Sequence, residues 1–151
     1  EVKYTLKITD FGMSKNIGPD GIYALPTAAE VPIRWTAPEL FGAPQVANRP
    51  SDVWSYGITL WEIAEQEMPF KDLSIAQVRQ AAADSKPYIP NRPIKTQIQN
   101  EIWMLMQDCW NIKSEQRPTF SNICDRLRVV AHETSYGNAQ IATQVYGTKS
   151  V

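Results

Sequence analysis

One carboxylate near the start of the chain lies where it could bind a metal ion. Asp10 follows a run of alternating apolar residues and precedes Phe11 and Gly12. Mg²⁺ prefers carboxylate oxygen, and it usually takes one or two such ligands from a protein and the rest from water and phosphate. Glycine permits backbone angles that a side chain would forbid, and phenylalanine offers an apolar anchor. The tripeptide alone fits a metal-binding turn or an ordinary turn at the end of a strand.

The residues before Asp10 predict the strand that would position it. Apolar residues recur at every second position, at Val2, Tyr4, Leu6 and Ile8. This period of two is typical of a half-buried strand. Residues 11–32 show no steady period and are interrupted by glycine and proline, which predicts a long loop. Long loops without structure of their own are usually functional in compact domains.

The middle of the chain is predicted to be helical. Pro38 suits the first turn of a short helix that ends at Phe41. Ser51 is the predicted cap of a central helix that runs to about Glu65. Apolar residues cover most of the circumference of this helix, so other elements must surround it.

Three further helices are predicted in the second half of the chain. Ser74 and Gln77 fit a capping box that opens a helix to about Ala83. Two later stretches have the spacing of one helix face: Ile98, Ile102, Leu105 and Cys109, and then Phe120, Ile123, Leu127 and Val130. Thr119 is the predicted cap of the last helix.

Composition argues against several classes of protein. The net charge of −1 gives no sign of a nucleic-acid partner or an anionic membrane surface. Cys109 and Cys124 lack metal-site spacing and are predicted to be reduced thiols in the core. His132 is the only histidine, which argues against a catalytic triad, and it is predicted to be solvated.

Four stretches, taken in order, resemble the carboxyl-terminal lobe of protein tyrosine kinases. They are LKITDFGMSK from residue 6, VPIRWTAPEL from 31, SDVWSYGITLWEI from 51 and CWNIKSEQRPTF from 109. Asp-Phe-Gly followed by Ala-Pro-Glu belongs to the kinase signature set. The resemblance covers roughly residues 2–130. It implies an α+β, mostly α fold that begins at the strand before Asp-Phe-Gly, with the amino-terminal lobe and the catalytic loop absent.

The resemblance implies a division of the chain and an activity. Residues 1–133 are expected to be part of a kinase lobe and residues 134–151 a flexible tail. The implied activity is transfer of the γ-phosphoryl group of ATP, with Mg²⁺, to protein tyrosine in signal transduction. Without a glycine-rich loop or a His-Arg-Asp stretch, the 151 residues alone are expected to be inactive.

The implied location is the cytoplasm or the cytoplasmic side of the plasma membrane. Residues 59–63 are more similar to receptor kinases than to cytosolic ones, and a membrane anchor would lie in a part that precedes this chain. The alternative to an enzyme is a pseudokinase, an interaction module that keeps the fold and signals by conformation. Asp10 and Gly12 are intact, which favours the enzyme.

The resemblance also implies roles for single residues near the cofactor. Asp10 is similar to the Mg²⁺ ligand that bridges ATP phosphates, and it forms the cofactor-binding turn with Phe11 and Gly12. Phe11 corresponds to the packing residue whose position separates active from inactive states.

Three further residues have implied structural roles. Glu39 and Arg117 resemble the buried ion pair that ties the end of the activation segment to the helical base. Asp52 corresponds to a residue that accepts hydrogen bonds from the catalytic-loop backbone. Its alternative role is to stabilise the amino terminus of the central helix.

Residues 13–36 are similar to an activation loop and the peptide-docking ledge that follows it. The implied substrate-binding residues are Pro32, Ile33, Arg34 and Trp35. Serine/threonine kinases usually carry Gly-Thr where this chain has Pro32, and proline has no backbone donor. This favours tyrosine as the acceptor. Lemur-type kinases are the alternative, because they share these stretches and are reported to act on serine and threonine.

Tyrosines are the implied sites of modification. Tyr23 precedes Pro32 by nine positions, as autophosphorylated tyrosines of the family often do. No basic residue follows it in the loop, and Lys15 stands where relatives usually have arginine; an unmodified loop tyrosine is the alternative. Tyr136 and Tyr146 in the tail are candidate partners for phosphotyrosine-binding domains.

Overall fold

The structure, a computed structural model, describes residues 7–26 and 31–132. The predicted strand from Val2 to Ile8 lies mostly outside these residues. Residues 7–10 have no regular structure, and Ile8 is 86% exposed. The strand prediction is therefore wrong for these last positions. A strand needs a hydrogen-bonding neighbour, and no strand in the described part of the chain pairs with them.

A small antiparallel sheet joins the predicted loop to the helical part. Strand β1, Ile22–Ala24, pairs with strand β2, Val46–Asn48, and Tyr23 lies opposite Ala47. The loop predicted over residues 11–32 is therefore wrong at β1. Three residues are too few to show a period of two, and their partner strand lies far away in sequence.

In residues 31–132, four α-helices form most of the regular structure, as predicted for a mostly helical chain. They are α1 Arg49–Glu65, α2 Ile75–Ala83, α3 Asn100–Cys109 and α4, residues 120–132. A short 3-10 helix spans Pro38–Phe41, as predicted. The predicted starts of α2 and α4 are confirmed, because Ser74 Oγ accepts from Gln77 N and Thr119 Oγ1 accepts from Asn122 N.

The predicted cap of the central helix is wrong. Helix α1 begins two residues before Ser51, and Asn48 is its cap. The Asn48 side chain accepts from Ser51 N at 3.0 Å, and Ser51 Oγ accepts from Asn48 N at 3.3 Å. Ser51 is thus the second member of a reciprocal capping box. Proline at the second helical position costs no hydrogen bond, so the helix extends back past Pro50.

The core lies where α1 crosses α3 and α4. Its fully buried members include Ile58, Leu105, Cys109 and Ile123. The helices touch at Gly57, where an added Cβ would lie 2.6 Å from Trp110 Nε1 and 2.7 Å from Cys109 Cβ. Ile63 on α1 is 66% exposed, so the described residues leave part of this apolar helix uncovered. No helix of the described part has the length and apolarity to cross a membrane.

The two cysteines have different environments. Cys109 is fully buried as predicted, and burial raises the pKa of its thiol to about 12. Cys124 is exposed, so the core position predicted for it is wrong. It follows Ile123, which faces the core, and consecutive residues on a helix point in directions about 100° apart. Both cysteines are free thiols.

Candidate functional site

Asp10 lines an open cleft of about 380 Å³. The same cleft is lined by Tyr23 of β1 and by Arg49 and Asp52 of the first turn of α1. Asp10 has φ 61° and ψ 65°, in the left-handed region that is unusual for a residue with a side chain. Such backbone strain collects at functional sites. The irregular segment before Phe11 thus places this carboxyl group at a cavity shared with the start of the central helix.

The conformational role predicted for Gly12 is wrong. Its backbone is not in the left-handed region, and a Cβ there would make an ordinary 3.5 Å contact with Asp10 Oδ1. The unusual angles belong to Asp10 itself. Phe11 is 65% exposed and does not act as an apolar anchor within the described chain.

The acidic residues of the cleft fit a Mg²⁺ ion that is held mainly by phosphate and water. Asp10 and Asp52 both line it, and Mg²⁺ commonly takes one or two protein carboxylates. The described residues contain no group of three or more His, Cys, Asp or Glu residues that would form an all-protein cage. Burial raises the pKa of Asp52, which accepts no hydrogen bond from the described residues.

The predicted ledge is a single 3-10 turn, Ile33–Trp35, with Pro32 at its start. The Pro32 carbonyl accepts from Trp35 N at 2.9 Å and from Thr36 Oγ1 at 2.9 Å. The Pro32 ring is exposed, whereas Ile33 is buried on the core side. Of the four predicted substrate-binding residues, Pro32 presents the free surface.

Trp35 attaches the ledge to helix α1. Its Nε1 donates to Glu62 Oε2 at 3.0 Å, and its carbonyl accepts from Ser55 Oγ at 2.8 Å. Sequence reasoning missed Glu62 and Ser55. Their spacing along the helix, seven residues, puts both on one face, but only the fold brings that face to the ledge.

Arg34 attaches the ledge to the turn between α1 and α2. Its Nη1 donates to the carbonyls of Pro69, at 3.1 Å, and Phe70, and its Nη2 donates to that of Leu73 at 2.8 Å. The guanidinium group is therefore bound by partly buried backbone carbonyls of the protein.

The predicted ion pair between Glu39 and Arg117 is present and has two hydrogen bonds. Nη1 and Nη2 of Arg117 lie 2.7 and 2.8 Å from the two Glu39 oxygens. Arg117 also donates to the carbonyls of Pro50 and Asn111, each at 2.9 Å, and its guanidinium lies 5.1 Å from the ring centre of Trp54. The arginine side chain is fully buried. This cluster fixes the end of the 31–41 segment to the start of α1.

The electrostatics of Glu39 follow from this cluster. Burial alone would raise its pKa, but the hydrogen bonds from Arg117 and Ser51 and the charge of Arg117 outweigh burial, so the pKa lies below its usual value of 4.5. Ser51 Oγ donates to Glu39 Oε1 at 2.9 Å. Glu39 is therefore ionised at neutral pH, where it balances the buried guanidinium.

Tyr23 lies half-buried in β1 and lines the same cleft as Asp10. The cations of that cleft are Lys15 and Arg49. Neither forms an ion pair with another described residue. Sequence reasoning missed Arg49, which the β1–β2 pairing brings to the side of Tyr23.

A carboxylate at a cleft, a tethered proline ledge and a buried arginine–glutamate pair together define the carboxyl-terminal half of a protein kinase domain. Sequence comparison agrees: the family described as protein tyrosine and serine/threonine kinase matches residues 1–127. The chain belongs to this family.

The chain is similar to tyrosine-protein kinases of animals and of a virus. The chain is 34% identical over 128 residues to tyrosine-protein kinase ZAP-70 of Homo sapiens. It is 37% identical over 123 residues to the tyrosine-protein kinase transforming protein Fps of avian sarcoma virus, strain PRCII. It is 35% identical over 127 residues to tyrosine-protein kinase Fer of Rattus norvegicus.

These matches cover most of the chain and a small part of each relative. They span 83%, 80% and 83% of the chain, but 20%, 22% and 15% of the three relatives. The chain therefore spans less than a quarter of the length of each of these relatives.

Proposed function

We propose that this chain is the carboxyl-terminal part of the catalytic domain of a protein tyrosine kinase, which transfers the γ-phosphoryl group of ATP to tyrosine. The observation that most supports tyrosine as the acceptor is the ledge, where an exposed Pro32 is fixed by two hydrogen bonds to its carbonyl. Proline offers no backbone donor to a catalytic group, and its exposed apolar ring can pack against the aromatic ring of a tyrosine acceptor. That three relatives are named tyrosine-protein kinases supports the same conclusion.

In this proposal Asp10 binds the Mg²⁺ that accompanies ATP. When bound, the metal would neutralise charge on the transferring phosphoryl group. Within this chain, the start of α1 and the β1–β2 sheet shape the cleft around that carboxylate, and the ledge holds the acceptor side chain. Glu39, through Arg117, keeps the segment that carries the ledge fixed on the helical base.

A phosphorylation assay on the full-length protein tests the proposal. The substrates are a tyrosine peptide and matched peptides with serine or threonine as acceptor. We expect transfer to tyrosine, and D10N to lower kcat by about a hundredfold or more, because the metal supplies several kcal/mol of charge stabilisation. D20N, in the same exposed loop, is the matched control and keeps activity.

Two outcomes would contradict it. Transfer to serine or threonine alone would favour the lemur-type alternative. ATP binding with no transfer to any acceptor would favour the pseudokinase.

We also propose that Tyr23 is phosphorylated and that Arg49 and Lys15 bind the phosphate. The modification adds a charge of about −1.5 to −2 beside two cations that have no ion-pair partner among the described residues. The phosphorylated protein should melt at a higher temperature than the unmodified one. R49Q should remove most of that increase, and an increase equal to that of the wild type would disprove the pairing.

Other proposed partners and the location follow from the kinase function. The partners are tyrosine-bearing protein substrates, and phosphotyrosine-binding domains at Tyr136 or Tyr146, which lie outside the described residues. The tail boundary at residue 133 also lies outside them and stays a prediction. The proposed location is the cytoplasm or the cytoplasmic side of the plasma membrane, and cell fractionation with protease protection distinguishes the two.

A further inference from the structure

One of the four residues of the ledge is exposed at the surface, and the other three hold the ledge in place. Pro32 is exposed, whereas Ile33 is buried and Trp35 is half-buried and bonded to α1 at both its indole and its carbonyl. These contacts set the position of the ledge relative to α1. The ledge also packs against α2, where a further side-chain contact can fix it.

Arg34 provides that contact. It donates three hydrogen bonds to carbonyls of residues 69–73, the turn that leads into α2. The turn has an unusual backbone, because Phe70 has φ 52°, and it is also closed by a hydrogen bond from Leu73 N to Phe70 O at 3.0 Å. A planar guanidinium can meet several carbonyls at fixed angles, which an ammonium group cannot.

We propose that Arg34 is a positioning residue for the substrate peptide, which fixes the ledge by joining it to the 69–73 turn and does not touch the substrate. Its contribution to peptide binding rests on the proposed kinase function. The tether itself rests only on the geometry of the described residues.

The bonding of Arg34 supports this assignment over direct contact with an acidic peptide. Arg34 has no carboxylate partner among the described residues, and its charge is offset by carbonyl dipoles alone. To meet a peptide carboxylate, it would have to leave these partly buried carbonyls, and those of Pro69 and Leu73 would lose the donor described here. A fixed ledge lowers the ordering cost of binding a peptide, so loss of the tether should weaken peptide binding and leave ATP binding unchanged.

The first test is hydrogen exchange on the full-length protein with R34M, R34K and R128M. Arg128 pairs with Asp125 on the exposed face of α4, so R128M removes an arginine whose ion pair lies within α4. We expect the amides of residues 33–36 and 70–73 to exchange about tenfold faster in R34M and by an intermediate factor in R34K. Equal protection of both segments in all variants would overturn the tether. If R34M does not fold, R34K is compared with the wild type instead, and equal protection of both segments would again overturn the tether.

The second test is steady-state kinetics on the same variants. We expect R34M to raise the KM for a tyrosine peptide about tenfold, with kcat and the KM for ATP within about twofold of the wild type. R34K should recover part of the loss, and R128M should match the wild type. An unchanged peptide KM in R34M would overturn the positioning role. If the wild-type protein transferred no phosphoryl group to the peptide, the proposed function would be refuted instead. The hydrogen-exchange result would still test the tether, because it does not depend on activity.

Discussion

At the scale of single residues, the cluster around Arg117 contributes most to holding the site together. The guanidinium is fully buried, and Glu39 is the one carboxylate that balances it in the described chain. A charge left alone in such a place costs much more than the pair contributes. The cluster therefore makes a clear prediction about stability.

We expect E39Q to lower the free energy of unfolding by about 3 kcal/mol, because it leaves the Arg117 charge buried without its partner. The matched control is D108N, which removes the carboxylate of an exposed pair with Arg126 and should cost less than about 1 kcal/mol. Urea denaturation measures both. Equal losses of unfolding free energy in the two variants would show that the buried pair stabilises the fold no more than the exposed pair does.

The pKa of Glu39 also predicts a pH dependence. Its folded-state value lies below the usual 4.5, so as pH falls the unfolded chain takes up the proton first. The pair stabilises the fold fully above pH 4.5, and this stabilisation is lost as pH falls through the lower folded-state value. E39Q, which cannot titrate there, should lose less stability than the wild type over that range. Denaturation midpoints measured below pH 4.5 that fall in parallel would contradict this.

At the scale of elements, the crossing of α1 and α3 depends on one glycine. Gly57 allows the backbones to approach, since a Cβ would overlap both Trp110 and Cys109. We expect G57A to lower the free energy of unfolding by about 1–3 kcal/mol through overpacking. At Gly42 an added Cβ would come no closer than 3.8 Å to Glu39 O, so G42A is the control and should be nearly neutral. If G57A matched G42A in denaturant unfolding, the close approach would be disproved.

Sequence patterns predicted elements where the signal was local. Ser74 caps α2 as its spacing with Gln77 indicates, because both members of a capping box lie within one turn. The start of α1 was mispredicted because a serine at the third helical position looks the same in sequence as a serine cap. Strand β1 was missed because three residues give no period, and its existence depends on β2.

The candidate site was predictable where family motifs identified its residues, and not where it depends on backbone groups. The pairing of Glu39 with Arg117 came from family motifs that lie 78 positions apart, and the fold confirms the contact. The carbonyls bound by Arg34 carry no side-chain signature, so no sequence pattern could point to them. Cys124 was wrongly assigned to the core because apolar spacing does not distinguish a residue at the edge of a buried helix face from one at its centre.

At the scale of the whole molecule, two segments of the described chain are expected to differ in local stability. Residues 33–41 are joined to the helical base at Arg34, Trp35 and Glu39. Residues 7–16, in contrast, are exposed throughout and form no pairing with the helices. Local unfolding should therefore begin in residues 7–16, which include Asp10. The ledge should unfold only together with the helices to which it is bonded.

Limited proteolysis with trypsin tests this order. Within the described residues, we expect the first cuts after Lys7 or Lys15, which lie in exposed chain without regular structure. Lys95 is the internal control, since it is also exposed and lies outside any helix or strand. Its amide and that of Ile94 donate to the buried Glu65 carboxylate, and Thr96 Oγ1 donates to Ala64 O at 2.6 Å, which should protect it. Mass spectrometry of the early fragments gives the order, and cleavage after Lys95 as fast as after Lys15 would show that these side-chain anchors do not restrain the backbone.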